Sequence, residues 1–179
     1  RRLRSLLRRD VAGQSLRVHL PPTTGAWAKV HLAGRRDLGV RWRAMNGRLA
    51  EPELEGTVVI YRDAWPDTDV LYVADSTHVE EYLYLRSSRA PSTFTYELEA
   101  FSGVGAIHEK HGIVEVLDQE GVPRLRIPKP KGRDFAGRQI QGHLTVSNKT
   151  VRVTIDYRGF SFPVLMDPAW TTTGNLVEP

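Results

Sequence analysis

The sequence contains no cysteine among its 179 residues. Disulfide frameworks, thiolate zinc sites, iron–sulfur clusters and cysteine nucleophiles are therefore excluded. Long apolar runs are also missing, because the longest, residues 58–61 and 70–74, are far shorter than the roughly 20 residues of a membrane-spanning helix. No helical periodicity longer than about two turns occurs after residue 15. We therefore expect a soluble chain without a transmembrane segment.

Positive charge is scarce outside the N-terminus. The formal net charge is +4, but five of the 25 lysines and arginines lie within the first nine residues. The other 170 residues carry a net charge of −1. Proteins that bind nucleic acid usually show a basic patch or stripe, so the body of this chain does not fit that class.

The chain divides into three segments. Residues 1–14 form a basic amphipathic lead-in, with Leu3, Leu6 and Leu7 at helical spacing among arginines. We expect a short helix that docks its leucine face; the alternative is an arm for a membrane surface or an anion. Residues 15–168 form an all-β module. Residues 169–179 form a polar C-terminal linker, because Asp167-Pro168 is a suitable strand stop.

Apolar and polar residues alternate with a period of two through most of the chain, which is typical of half-buried strands. The pattern predicts strands at residues 16–20, 27–32, 57–61, 69–74, 78–86, 92–101, 112–117, 124–127, 139–146, 151–157 and 160–166. Many short strands separated by turn signals indicate an antiparallel sandwich or barrel. We expect an all-β fold, an antiparallel β-sandwich of one or two subdomains, with long loops at residues 46–56 and 128–137.

Three aspartates at odd spacing form a candidate cation loop. Asp63, Asp67 and Asp69 offer the oxygen ligands that calcium prefers. The full twelve-residue calcium loop with its central glycine and terminal glutamate is absent. The sequence thus leaves two hypotheses open, a calcium site and carboxylates that cap an ordinary turn. No other cofactor is expected.

Two histidines lie three residues apart in the segment His108-Glu109-Lys110-His111, with Glu115 nearby. The metalloprotease array needs histidines four apart on one helical face, and this segment does not match it. Because it lies between strand-like segments, we expect a polar hairpin turn, with a metal site as the alternative.

Aromatic side chains suggest a ligand-binding face. Trp27, Trp42, Trp65, Tyr82 and Tyr84 could stack on sugar rings if they line one side of a sheet. The alternative is that they are core or edge anchors. The pattern predicts a carbohydrate site only where several of these rings are exposed together.

Enzyme signatures are weak. No Gly-x-Ser-x-Gly elbow occurs, and Gly103-Val104-Gly105 lacks the strand-to-helix context of a phosphate loop. Paired carboxylates for glycoside hydrolysis could be assembled from acids on strands, but alternating acids are usually a solvated face; the candidates are Glu80, Glu81, Glu97 and Glu99. We therefore expect a protein that is not an enzyme.

Several segments together carry a family resemblance. They are YRDAWPDTDVLY at residues 61–72, EEYLYL at 80–85, APSTFTYEL at 90–98, LDQEGVPRLRIPKP at 117–130 and FPVLMDPAWTTTG at 162–174. In this order they resemble an all-β module found near the start of large secreted bacterial repeat proteins. Similar modules precede kelch-type propeller repeats and the tyrosine-aspartate repeats of RHS-type toxins.

The resemblance implies an exported module without catalytic residues that leads into a repeat region. We expect a secreted or cell-surface bacterial protein with a structural or interaction role, as an adhesion or scaffold domain. Its partner would be a protein or a cell-surface glycan. The alternatives are the leading shell module of an RHS-type polymorphic toxin and a carbohydrate-binding module.

Overall fold

The computed structural model describes residues 16–74, 78–168 and 170–172, and the predicted helix at 1–14 lies outside them. The described chain is all-β, without a helix, so it offers none that could cross a bilayer. Its strands are β1 Leu16–His19, β2 Ala28–Leu32, β3 Arg35–Met45, β4 Pro52–Glu55, β5 Val58–Trp65, β6 Thr68–Ala74, β7 His78–Leu85, β8 Thr93–Ala100, β9 Val104–Lys110, β10 Ile113–Asp118, β11 Pro123–Ile127, β12 Lys131–Asp134, β13 Gln139–Ser147, β14 Thr150–Ile155, β15 Val164–Asp167 and β16 Trp170–Thr172.

The strands pair in antiparallel fashion into two packed layers. The first layer has the order β1-β2-β3-β8-β14-β13. The second runs β4-β5-β6-β7, and β7 then pairs with both β15 and β16 along its other edge. Strand β12 connects the layers, because it pairs with β15 on one side and with β13 on the other.

A smaller sheet of three strands, β9 to β11, extends from the second layer through β16. Strands β11 and β12 follow each other in the chain, with Pro128, Lys129 and Pro130 between them, but they pair with different strands, β11 with β16 and β12 with β15. On its other side, β11 pairs with β10, and β10 pairs with β9. The prolines explain the break, since proline cannot donate a ladder hydrogen bond.

The two layers bury their apolar faces against each other. On β8, Phe94, Tyr96 and Leu98 are buried while their neighbours are not. Trp65 from β5 crosses the interlayer space, with ring centroids 5.1 Å from Phe94 and 5.9 Å from Tyr96. Buried apolar residues of both layers form one core cluster, which confirms the β-sandwich prediction.

Three segments predicted as loop or linker contain strands. Strand β4 lies within the predicted loop 46–56, β12 within 128–137, and β16 within the predicted C-terminal linker. In addition, the prediction of a hairpin turn at 108–111 is wrong for residues 108–110, which belong to β9. These strands are short or polar, and pairing with neighbours holds them where local apolar alternation does not.

Candidate functional site

The candidate calcium aspartates lie at the turn between β5 and β6. Asp63 and Asp67 adopt left-handed backbone conformations, with φ of 53° and 48°. Asp69 is buried and accepts a hydrogen bond from the Asp63 N–H at 2.8 Å. The Arg86 guanidinium, at the end of β7, bonds both Asp63 and Asp69.

Asp67 has a separate set of partners. It accepts hydrogen bonds from the Ser87 hydroxyl and from Arg89 Nε at 2.9 Å, and these two donors lower the pKa of the Asp67 carboxyl. The turn is therefore an ion-pair network that ties β5 and β6 to the end of β7. In the part of the chain described, no group of three acidic or histidine side chains is placed to hold a metal ion.

Two of the proposed sugar-stacking rings are core residues. Trp42 and Trp65 are each only 4% exposed, which is a correction to their assignment as ligand-binding residues. Their positions on the inner faces of β3 and β5 explain the burial. Trp27 is half-buried on the outer face of the first layer, with the guanidinium groups of Arg41 and Arg43 at 4.5 and 4.7 Å from its ring centroid.

The remaining aromatic pair, Tyr82 and Tyr84, lies on the outer face of β7, where both rings are half-buried. The Tyr82 hydroxyl donates to Glu80 Oε2 at 2.6 Å. Across the neighbouring strand, Leu165 is opposite Tyr84. Burial raises the pKa of Tyr82, and the hydrogen bond to Glu80 and the nearby charge of Asp167 raise it further. These side chains share one polar and aromatic surface.

A cleft of about 360 Å³ opens on this outer face, and we call it the outer cleft. Tyr82 and Asp167 form one side. Lys131 and Arg133 on β12 and the glutamines of β13 form the other side; the glutamines are Gln139 and Gln141. The residues of β12 were not predicted as site residues, because their strand lies within a segment predicted as loop.

A second surface lies at the end of the sandwich that carries the β12–β13 and β14–β15 loops. We call it the end cluster, and its members are Phe135, Arg138, Tyr157, Phe160 and Phe162. Phe135 is 77% exposed. The Arg138 guanidinium lies 5.0 Å from the Phe160 ring centroid, and the rings of Tyr157 and Phe162 meet edge to face at 5.4 Å.

Asp134 fixes the end cluster. This buried carboxylate accepts hydrogen bonds from the Arg138 N–H at 2.8 Å, from Arg138 Nε at 2.9 Å and from the Ser161 N–H at 3.0 Å. Burial raises the pKa of Asp134, but the Ser161 and Arg138 hydrogen bonds outweigh it and leave the pKa lowered. One carboxylate thus connects the two loops.

The acids considered for hydrolysis do not form a pair. Glu97 and Glu99 are on the outer face of β8, where they make ion pairs with Arg43 and Arg41. Glu81 is buried instead in the core, between the Tyr72 hydroxyl at 2.8 Å and the Tyr96 hydroxyl at 2.7 Å. The prediction that these acids lie on the outer, solvated face of their strands is confirmed for Glu97 and Glu99 and is wrong for Glu81.

The histidine segment forms part of the β9–β10 hairpin. His108 Nε2 lies 3.4 Å from Glu115 Oε2, and Glu115 also forms an ion pair with Arg126 at 2.7 Å. His111 is exposed at the tip with a left-handed φ of 57°. The segment forms the turn end of this hairpin, and Glu115 contacts His108 on β9 and Arg126 on β11.

Two surfaces, the outer cleft and the end cluster, thus present side chains to solvent in a fixed arrangement. Neither a family model, nor a curated protein, nor a solved structure matches this chain.

Proposed function

We propose that this chain is a non-enzymatic interaction module of an exported bacterial protein, and that it binds a protein partner through the end cluster. The single observation that carries this proposal is Phe135, a large apolar side chain that is 77% exposed on a fixed loop. Burying a phenylalanine side chain against a partner is favourable by about 1.5–3 kcal/mol.

The composition of the end cluster supports the proposal. Binding hot spots in protein interfaces are enriched in aromatic residues and arginine, and they usually lie in a well-packed centre. Here the loops that carry Phe135 also hold the Arg138–Phe160 contact and the Tyr157–Phe162 ring pair, whose rings are half-buried against the core. The cluster therefore offers one apolar anchor with polar and aromatic neighbours.

The loops are fixed before a partner binds, which also supports the proposal. The Phe135 N–H donates to the Ser161 carbonyl at 3.0 Å, and Arg138 donates to the Gly159 carbonyl at 2.8 Å. The Tyr157 hydroxyl bonds the Ala90 carbonyl of a third loop. Because these contacts order the surface in advance, binding costs less conformational entropy.

The assignment to an exported adhesion or scaffold protein rests on the resemblance of residues 25–174 to modules of bacterial repeat proteins. The alternative within the same class is the leading shell module of an RHS-type toxin. The complete reading frame discriminates between them: a tyrosine-aspartate array after this segment supports the toxin shell, whereas kelch-type repeats support the adhesion or scaffold role.

Photo-crosslinking tests the binding role. A benzophenone amino acid is placed at Phe135 in the full-length protein, and the matched control carries it at Leu49, which is 80% exposed on the loop between β3 and β4. We expect a discrete crosslinked protein from position 135 and none from position 49. Equal crosslinking from both positions, or none from either, would overturn the end cluster as a docking surface.

The non-enzymatic part of the proposal has its own test. Turnover by the purified protein that is lost on substitution of an aspartate, glutamate or histidine, with folding retained, would contradict it.

A further inference from the structure

We propose that the outer cleft is a binding site for a small acidic saccharide, separate from the protein-docking end cluster. The carboxylate of the sugar would lie between Lys131 and Arg133, and the ring would pack against the apolar wall formed by Tyr82 and Leu165. The class of ligand follows from the side chains that line the cleft.

The strand register builds the cleft from two parallel rows of side chains. In the first row, Lys131 pairs across the ladders with Asp167 on one side and with Gln141 on the other. In the second row, Arg133 pairs with Leu165 and with Gln139. Neighbouring strands lie about 4.8 Å apart, so the cleft extends about 14 Å from β7 to β13.

The size of the cleft limits the occupant. Its volume of about 360 Å³ is near the lower end of the roughly 300–1,000 Å³ that small-molecule sites occupy. Two cavities among the described core residues have only about 30 and 20 Å³, enough for water and too small for a sugar ring. A saccharide of one or two rings fits the outer cleft in length and volume.

The charges of the cleft favour an anionic ligand. Most arginines on the described surface have carboxylate partners, as in the pairs Arg62–Glu53 and Arg126–Glu115. Neither Lys131 nor Arg133 has an ion pair with any acidic residue that the structure describes. Both are exposed and are two residues apart on one face of β12. Arg133 Nη1 donates to the Gly137 carbonyl at 3.1 Å, and its other N–H donors leave it able to contact the same carboxylate as Lys131.

The other polar groups of the cleft suit the hydroxyls of a sugar. Gln139 and Gln141 each provide an amide with two N–H donors and one acceptor oxygen, and Asp167 provides acceptor oxygens. Leu165 is 40% exposed beside them and adds apolar surface next to Tyr82. A simple inorganic anion would use the two cations and the amide donors, but it would use neither the acceptor oxygens nor this apolar wall.

Titration followed by backbone amide NMR tests the proposal. The probes are glucuronic acid, N-acetylneuraminic acid, glucose and inorganic phosphate, each added to the whole chain. We expect an acidic sugar to bind with millimolar affinity or better, to shift amides of β12, β13 and β15, and to bind at least tenfold more tightly than glucose. Phosphate that binds as tightly, with the same shifts, would reduce the site to an adventitious anion site and overturn the proposal.

Matched variants assign the binding to the cleft. Arg133→Gln and Lys131→Gln should each weaken the acidic sugar at least tenfold, whereas Arg152→Gln, on the outer face of the first layer, should leave it unchanged. Phe135→Ala should also leave sugar binding intact, which separates this site from the end cluster. The absence of shifts with either acidic sugar at tens of millimolar, or equal loss in Arg152→Gln, would overturn the assignment.

Discussion

Glu81 is a carboxylate enclosed by aromatic donors in the middle of the sandwich. Burial raises the pKa of Glu81, and the hydroxyls of Tyr96 and Tyr72 and the Trp42 indole oppose part of that rise. The charge of Glu81 in turn helps to raise the pKa values of both tyrosines, although burial is the larger cause. A proton on Glu81 is therefore held more tightly in the folded chain than in the unfolded chain.

The first prediction concerns the pH dependence of stability. A carboxyl pKa that is raised by folding gives stability that is complete below the unfolded pKa, about 4.3, and that declines as pH rises toward the folded pKa. Glu81→Gln has no proton to lose, so its stability relative to the original chain should increase with pH above about 4.3. Urea unfolding from pH 4 to pH 8 measures this difference.

The control for this prediction is Glu51→Gln, at an exposed position in the loop before β4. It should follow the pH profile of the original chain. Parallel profiles for Glu81→Gln and the original chain would contradict the prediction, because they would mean that Glu81 has the same proton affinity in the folded and unfolded states.

The second prediction concerns calcium. The candidate ligands Asp63 and Asp69 are bound to Arg86, and Asp67 is bound to Arg89. Calcium would have to displace these guanidinium groups, so we expect saturating calcium to leave the melting temperature unchanged relative to EDTA. Arg86→Gln is the comparison variant, since it removes the guanidinium group that competes with calcium for Asp63 and Asp69. A rise of several degrees in the original chain, abolished by Asp69→Asn, would instead establish the calcium site.

At the scale of single strands, the third prediction concerns the close contact between β12 and β15. A Cβ atom added at Gly132 would collide with the Leu165 carbonyl oxygen and with Met166 Sδ. We expect Gly132→Ala to lower the free energy of unfolding by about 1–3 kcal/mol through overpacking. Arg133→Ala, on the same strand but exposed, should change it by no more than about 0.5 kcal/mol. If chemical denaturation shows a loss in Gly132→Ala as small as that in Arg133→Ala, the contact between β12 and β15 accommodates a Cβ atom and the prediction is wrong.

The same strand shows where local sequence stops being informative. Strand β8 was predictable, because Phe94, Tyr96 and Leu98 alternate with polar residues and the alternation matches one buried face. Strand β12, with the sequence KGRD, contains no apolar residue, and its extended conformation comes from pairing with β13 and β15. Pairing between strands distant in sequence leaves no periodic signal.

The candidate site residues likewise divide into those that local alternation predicts and those that depend on long-range strand pairing. The outward direction of Tyr82 and Tyr84 could be predicted from the alternation in β7, whereas the position of Lys131 beside Asp167 depends on the register of β12 with β15. Trp42 and Trp65 had the right residue type for stacking, but the face on which each lies was not evident from the sequence. Long-range register therefore determines which aromatic residues are accessible.

At the scale of the whole molecule, the layers share one apolar core, although the sequence left room for two subdomains. Trp65 belongs to the second layer and contacts Phe94 and Tyr96 of the first. The Tyr96 hydroxyl also donates to Glu81 on β7. Since these contacts cross between the layers, neither layer keeps its core when the other unfolds, and we expect one cooperative transition.

The last prediction uses this coupling. Trp65→Ala should lower the free energy of unfolding by about 3–5 kcal/mol, because it leaves a large cavity between the layers. Hydrogen exchange should show the same loss of protection in β3 and β8 as in β5 and β6, since all four strands unfold together. Trp27→Ala is the matched control: its half-buried ring packs against two arginines on the outer face, and removing those contacts should cost only about 1–2 kcal/mol. Loss of protection confined to β5 and β6 would contradict the single unit and would show that the layers are separate subdomains.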